Sequence, residues 1–244
     1  MTEDQPSDFV PNRHGIVDQW NARFVRGAKW TDRGNPCVKT TAVMPPSKVI
    51  SWRQAVRIHK ENLRHGKVGY RCDAFIHTCI DDVKFDGKRA GIWADLDNFI
   101  SVAAHFGGVA CVDFSACADF PEPLLRWQFY RIRVVEFALA QAGIPVIVNA
   151  RWATRDTWPY SIAELPTRSM LSVGTVGSGL RLLVNRPMFD AGLREIVRTK
   201  EPTCLVIIGS KNYSSIREAE NAGVRIMQFD GDTASAFKKV ASDE

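Results

Sequence analysis

The sequence predicts an α/β protein: a TIM-like (β/α) barrel of seven to eight parallel strands, with an open doubly wound parallel sheet as the alternative. Three observations carry this. Short apolar runs alternate with helical patterns at intervals of about 20 to 36 residues. The runs are apolar almost throughout, as in strands covered on both faces. The length, 244 residues, is one that such barrels reach as a single unit.

The elements follow in order. Residues 1–44 have little period but carry Trp20, Phe24 and Trp30, so they read as an N-terminal arm packed on one α/β domain of residues 45–244. Within the arm, 38–43 is a candidate eighth strand. Pro45-Pro46 leads into a short strand at 48–51, and Ser51 can cap the helix 52–64, which stops at Gly66. Residues 73–80 read as a strand ending at Asp81-Asp82. A helix at 96–106 is closed by Gly107-Gly108, and 109–112 is a buried strand. The longest helix, 123–142, stops at Gly143. Strand 145–148 opens onto Asn149, Arg151 and Trp152, and strand 170–173 runs into the glycine-rich turn 174–179. Helix 187–199 has proline in its first turn. Strand 204–208 ends at Gly209-Ser210, helix 214–221 is capped by Gly223, and strand 224–229 precedes Asp230-Gly231-Asp232. A short C-terminal helix closes the chain.

Composition narrows the function classes. Hydrophobic residues make up 45% and charged residues 24%, ordinary for a globular protein. No apolar window reaches the roughly 18 residues needed to span a bilayer, so no membrane is expected. The acidic start lacks the basic and apolar regions of a secretory signal, which predicts a cytoplasmic protein. The six cysteines form no C-x-x-C pair, and Cys79, Cys111 and Cys204 lie inside apolar runs, where small buried thiols are the common case. The closely spaced ligands of zinc modules are missing. Part of the net charge of +5 sits in Arg53, Arg57, His59, Lys60, Arg64, His65, Lys67 and Arg71. That stretch suits a polyanion, although charge runs are more often wet helix faces.

In either architecture the carboxyl ends of the strands share a rim where ligands bind. The polar residues there are Asp81, Asp82, Asp113, Ser115, Asn149, Arg151, Trp152, Thr175, Ser178, Ser210 and Asp230; several of them also suit helix caps. Asp81, Asp82 and Asp113 have the chemistry to hold Mg²⁺, and one of the three to act as a general base or as a nucleophile at a glycosidic carbon. The turns with Gly177 and Ser178, and with Gly209 and Ser210, expose backbone N–H groups to a phosphate. Arg131 falls near the centre of an apolar helix face made by Leu124, Trp127, Val134, Val135, Ala138 and Leu139, with Arg126 and Arg133 on the other side. A guanidinium there needs a partner, and Asp113, Asp119 and Asp82 are the expected ones. No histidine is expected at a strand end: His77 reads as a core residue within its strand.

The segment from about Lys48 to Gly209 resembles an uncharacterised family, a domain of unknown function found mostly in phages, plasmids and other mobile elements. The carrying features are Ile80-Asp81-Asp82, Asp113-Phe114-Ser115 followed by Asp119-Phe120-Pro121, and the helix with Trp127, Tyr130-Arg131 and Arg133. Gly143-Ile144-Pro145-Val146-Ile147, Trp152 and Ser172-Val173-Gly174-Thr175-Val176-Gly177 follow in order. Phe120 stands where members carry methionine, a change of packing only. The resemblance implies a mobile-element protein with a shared rim of Asp, Ser, Arg and Trp, and it supplies no activity.

The leading expectation is an enzyme acting on a nucleotide or nucleic acid. Asp82 and Asp113 would carry acid–base or metal chemistry beside Ser115, and Arg131 would orient a carboxylate. Asn149, Arg151, Trp152, Thr175 and the loops at Gly177 and Ser210 would bind substrate. The alternative is a non-catalytic protein engaging DNA or a host protein through the basic region 53–71. A glycosidic-bond enzyme would need two carboxylates facing each other across a cleft at about 5–10 Å. No oligomeric state is implied.

Overall fold

The computed structural model describes residues 15–87 and 91–232. It contains one seven-stranded sheet: β1 (Val49–Ser51), β2 (Cys72–His77), β3 (Phe106–Ala110), β4 (Val146–Asn149), β5 (Met170–Gly174), β6 (Cys204–Ile208) and β7 (Arg225–Phe229). Every neighbouring pair is parallel. The helices are α1 (Trp52–Arg64), α2 (Leu96–Ala103), α3 (Glu122–Gln141), α4 (Arg186–Lys200) and α5 (Ser214–Asn221). The C-terminal helix expected from the sequence lies outside the described residues.

The strands stand in sequence order, β1 to β7, and β1 is not paired with β7. The barrel expectation is therefore corrected: the sheet is parallel but open. It also lacks the reversal of order that a doubly wound sheet shows. Right-handed crossovers in sequential order put the helices on one face, and the other face curls inward as a half-barrel. The curl is visible at Gly174 on β5: a Cβ placed there would stand 2.9 Å from Cys79 Sγ, just beyond β2. In a flat sheet strands three places apart are about 14 Å distant.

Alternation along the strands sorts the core accordingly. Ile76, Val109, Val146, Leu171, Val173, Leu205 and Ile207 belong to buried clusters with the helices. Phe75, Ala110, Ile147, Met170, Cys204, Val206 and Ile208 form a separate cluster on the inner face.

Three local expectations are corrected by packing. Gly107 and Gly108 do not cap a helix; they lie within β3, where a Cβ would fall 2.4 Å from Asp73 O and 2.5 Å from Pro145 O respectively. They are small so that β3 can fit between its neighbours. Residues 38–43 form no strand. Thr40 Oγ1 instead accepts from Val148 N at 3.1 Å and donates to Met170 O at 2.6 Å, filling the split between β4 and β5. β2 ends at His77, three residues earlier than the apolar run suggests, so His77 does stand at a strand end.

α3 is buried over most of its circumference, because residues 15–36 cover the side the sheet leaves open. Tyr130 Oη donates to Trp20 O at 3.0 Å, Gln141 Nε2 donates to Arg26 O at 3.1 Å, and the Trp30 ring stacks on Tyr130 at 6.5 Å.

Candidate functional site

The carboxyl ends of β2 to β5 carry a compact polar cluster. The chain leaving β3 turns at Cys111, whose φ of 61° is the left-handed conformation and is costly for a non-glycine residue. The turn brings Cys111 Sγ to 3.0 Å from Cys79 Sγ. Thr78 locks the two exits together: its N–H donates to Cys111 O at 3.1 Å, and its Oγ1 accepts from Asp113 N at 2.7 Å. Asn149, at the end of β4, is fully buried and donates from Nδ2 to Val112 O at 2.7 Å and to Asp113 Oδ1 at 3.5 Å.

Arg151 follows. Its Nη1 lies 3.6 Å from Asp113 Oδ1 and donates to Ser178 Oγ at 3.0 Å, while its buried Nε has no acceptor. Ser178 in turn donates to Gly174 O at 2.8 Å, which ties the glycine-rich turn to the arginine. Beside this group lies a cavity of about 380 Å³. Arg151, Ser178, Asp119, Asn185 and the backbone at Gly174, Gly177 and Gly179 line its polar side, and Trp152, Leu180, Met188 and Phe189 its apolar side. Trp152 stacks on Phe189 with ring centroids 5.3 Å apart. Burial pushes the Asp113 carboxyl above the usual carboxylate range, against the pull of Arg151. Burial likewise raises the Cys79 and Cys111 thiols, and it lowers His77 to about 4.

The remaining residues singled out in the sequence stand elsewhere. Asp82 is exposed and accepts from Ser115 Oγ at 2.9 Å. Asp81 is also exposed. The ligand atoms that gather around Asp113 are two thiols rather than the Asp81 and Asp82 carboxylates: Cys79, Cys111 and Asp113 fall within 4.8 Å of one another. Thr175 Oγ1 is taken up by Ser210 O at 2.9 Å, Ser210 Oγ accepts from Asn212 N at 3.1 Å, and Gly209 is a close approach to Thr175; none of these three lines the cavity.

Arg131 is buried as expected, but its partner is not Asp113, Asp119 or Asp82. Its Nη1 donates to Asp86 at 2.6 Å, its Nε donates to Gln128 Oε1 at 3.0 Å, and its guanidinium stacks on Phe114, 4.1 Å from the ring centroid. Arg133 was expected on the other side of α3, yet it is 3% exposed. It is paired with Glu136 and donates to Asn149 O at 2.7 Å. Glu136 also accepts from Asn149 N at 2.6 Å, and burial pushes its carboxyl up to about 7 against the pull of Arg133. This pair props the end of β4 from behind.

A family model described as a domain of unknown function, DUF4417, matches residues 32–230. The chain belongs to that family. Among curated proteins it is similar to the Gene 1 protein of Mycobacterium phage D29, with 26% identity over 168 residues, covering 69% of this chain and 57% of the relative. The Gene 1 protein of Mycobacterium phage L5 is 26% identical over 150 residues, covering 62% of this chain and 63% of the relative. The chain thus spans about three-fifths of the length of these phage relatives. No solved structure matches. Among the described residues, no helix is long and apolar enough to cross a membrane. The family match contains every residue of the cluster and cavity described above.

Proposed function

We propose that this family member is an enzyme acting on a nucleotide or a nucleic-acid component, bound in the cavity at the carboxyl mouth of the half-barrel. The observation that carries the reading is the state of Arg151. A guanidinium has five N–H donors. Arg131 and Arg133 have theirs taken up by neighbouring carboxylates, an amide and a carbonyl. Arg151 makes one hydrogen bond, to Ser178, and a 3.6 Å ion pair, although only 12% of its side chain is exposed. Donors so placed beside a cavity suit a bidentate anionic ligand such as a phosphate. The turn 174–179 adds backbone N–H groups of the kind that cradle phosphate. The Trp152–Phe189 wall suits the flat, less polar part of the same ligand. The cavity volume lies within the range of about 300–1,000 Å³ usual for small-molecule sites. Asp113 lies outside the cavity lining but 3.6 Å from Arg151, and would supply acid–base or metal chemistry from behind that arginine.

A second reading rests on α1. Arg53, Arg57, Lys60 and Arg64 are exposed and form no ion pair among the described residues. At ~100° per residue they share an arc of roughly 60°, a basic stripe about 16 Å long, which suits a nucleic-acid backbone. The two readings separate by thermal protection and equilibrium binding with nucleoside mono-, di- and triphosphates and a short oligonucleotide. The enzyme reading expects mononucleotide binding that weakens at least tenfold in Arg151→Lys and survives the double reversal Arg57→Glu/Arg64→Glu. Absence of binding by any nucleotide, or binding lost only in the double reversal, overturns it.

A further inference from the structure

We infer that Cys79, Cys111 and Asp113 form a zinc site with three protein ligands. The use of that ion in catalysis rests on the function proposed above; its binding does not. The three ligand atoms lie within 4.8 Å of one another, and the two sulfurs are 3.0 Å apart. Tetrahedral zinc, with bonds of ~2.3 Å to sulfur and ~2.0 Å to oxygen, separates its ligands by about 3.3–3.8 Å, so the triad closes on an ion with shifts below about 1 Å. Two thiolates with one carboxylate favour zinc over magnesium, which takes oxygen ligands.

Gly174 closes over the triad. A Cβ there would stand 2.9 Å from Cys79 Sγ, 3.1 Å from Asp113 Oδ2 and 3.2 Å from Cys111 Sγ, so the backbone of β5 packs against all three ligand atoms, a close approach that needs glycine. Gly174 also lines the cavity, whereas Cys79, Cys111 and Asp113 do not, so the ion would lie directly behind the cavity wall. Charge balances as well. Two thiolates and a carboxylate exceed the ion by one negative charge, and Arg151 stands 3.6 Å from Asp113 to offset it. Asn149 donates to Asp113 Oδ1 at 3.5 Å, the kind of outer contact that orients a ligand. A thiol serving only as apolar filler would not need the left-handed backbone that aims Cys111 at Cys79. Without an ion the two thiols stay protonated. On binding, the S–H protons of Cys79 and Cys111 leave to solvent and two Zn–S bonds and one Zn–O bond form, so about two protons are released per ion.

The test uses the full chain stripped with a chelator and titrated with Co²⁺, which reports thiolate ligation by its ligand-to-metal charge-transfer absorption. The expected result is saturation at one equivalent with tetrahedral d–d bands, release of about two protons and displacement by Zn²⁺. Cys79→Ser and Cys111→Ser lose the thiolate band, Gly174→Ala binds at least tenfold more weakly, and Cys37→Ser and Cys117→Ser, at exposed positions, keep it. A folded wild-type chain that gives no thiolate–cobalt absorption overturns the site, as does a band that persists in Cys79→Ser; the wild-type titration decides even where a variant fails to fold. Nucleotide protection is scored separately. Cobalt binding without nucleotide binding removes the enzyme reading and leaves the zinc site standing, and nucleotide binding without thiolate ligation does the reverse.

Discussion

Ser51, the last residue of β1, donates a hydrogen bond of 2.8 Å to Asp232, just beyond β7. The first and last strands share no backbone ladder, so this side-chain contact bridges the seam of the half-barrel at the end where the cavity opens. The same Ser51 Oγ accepts from Gln54 N at 3.3 Å and so caps α1. Ser51→Ala is expected to cost about 1–2 kcal/mol, since it removes a cap and a bond to a charged group together. Urea unfolding of Ser51→Ala, Asp232→Ala and the double variant is expected to show a coupling of about 0.5 kcal/mol or more. Strict additivity would mean that the contact bridges nothing.

Gly192, inside α4, meets Trp152. A Cβ there would stand 2.1 Å from Trp152 Nε1. Helix propensity alone favours alanine over glycine by about 1 kcal/mol. The packing opposes it, and Gly192→Ala is expected to lose about 1–3 kcal/mol and to weaken nucleotide binding by moving the Trp152 wall. A gain in melting temperature would contradict the packing seen there.

Arg131 is engaged by a loop. Its partners, Asp86, Gln128 and Phe114, lie outside the cavity lining. Arg131→Lys keeps the charge but loses the fork and the stacking, and is expected to cost about 1–3 kcal/mol while mononucleotide affinity stays within twofold. Loss of binding at unchanged stability would return Arg131 to the site.

Glu136 makes stability depend on pH. Its carboxyl is raised from 4.5 to about 7 in the fold, first by burial and against the pull of Arg133. The folded state therefore holds this proton more tightly than the unfolded chain. The stabilisation is complete below about pH 4.5 and is lost as pH rises through about 7, on the order of 3 kcal/mol in all. Urea midpoints between pH 4.5 and 8 are expected to fall more steeply with rising pH in the wild type than in Glu136→Gln. Parallel profiles would contradict the shift.

The strands were legible because each is an apolar run closed by Gly, Asp or Pro; all seven expected runs became strands of one parallel sheet. Closure was not legible, since it depends on whether β1 and β7 meet, which no local pattern encodes. Misplaced boundaries have the same origin. Gly107 and Gly108 look like a helix stop in the sequence, but they are glycines because Asp73 and Pro145 crowd them from neighbouring strands. At the site, the strand-end rule leads to Asp113, Asn149, Arg151, Gly177 and Ser178, which the structure brings together. It also picks Ser210 and Gly209, which the structure leaves outside the cavity. Cys79 and Cys111 read as buried filler in the sequence because they form no C-x-x-C pair and lie inside apolar runs; that these runs bring the two sulfurs together is a property of the fold. The Arg133–Glu136 pair was not legible because its role is to meet the backbone of Asn149 at the end of β4, a contact between elements that a helical wheel does not show.

The most direct measurement is a crystal of the full chain soaked with a nucleoside monophosphate. Phosphate density is expected between the Arg151 guanidinium and the turn 174–179, with the base against Trp152 and Phe189. Density on the basic stripe of α1 with the cavity empty would contradict it.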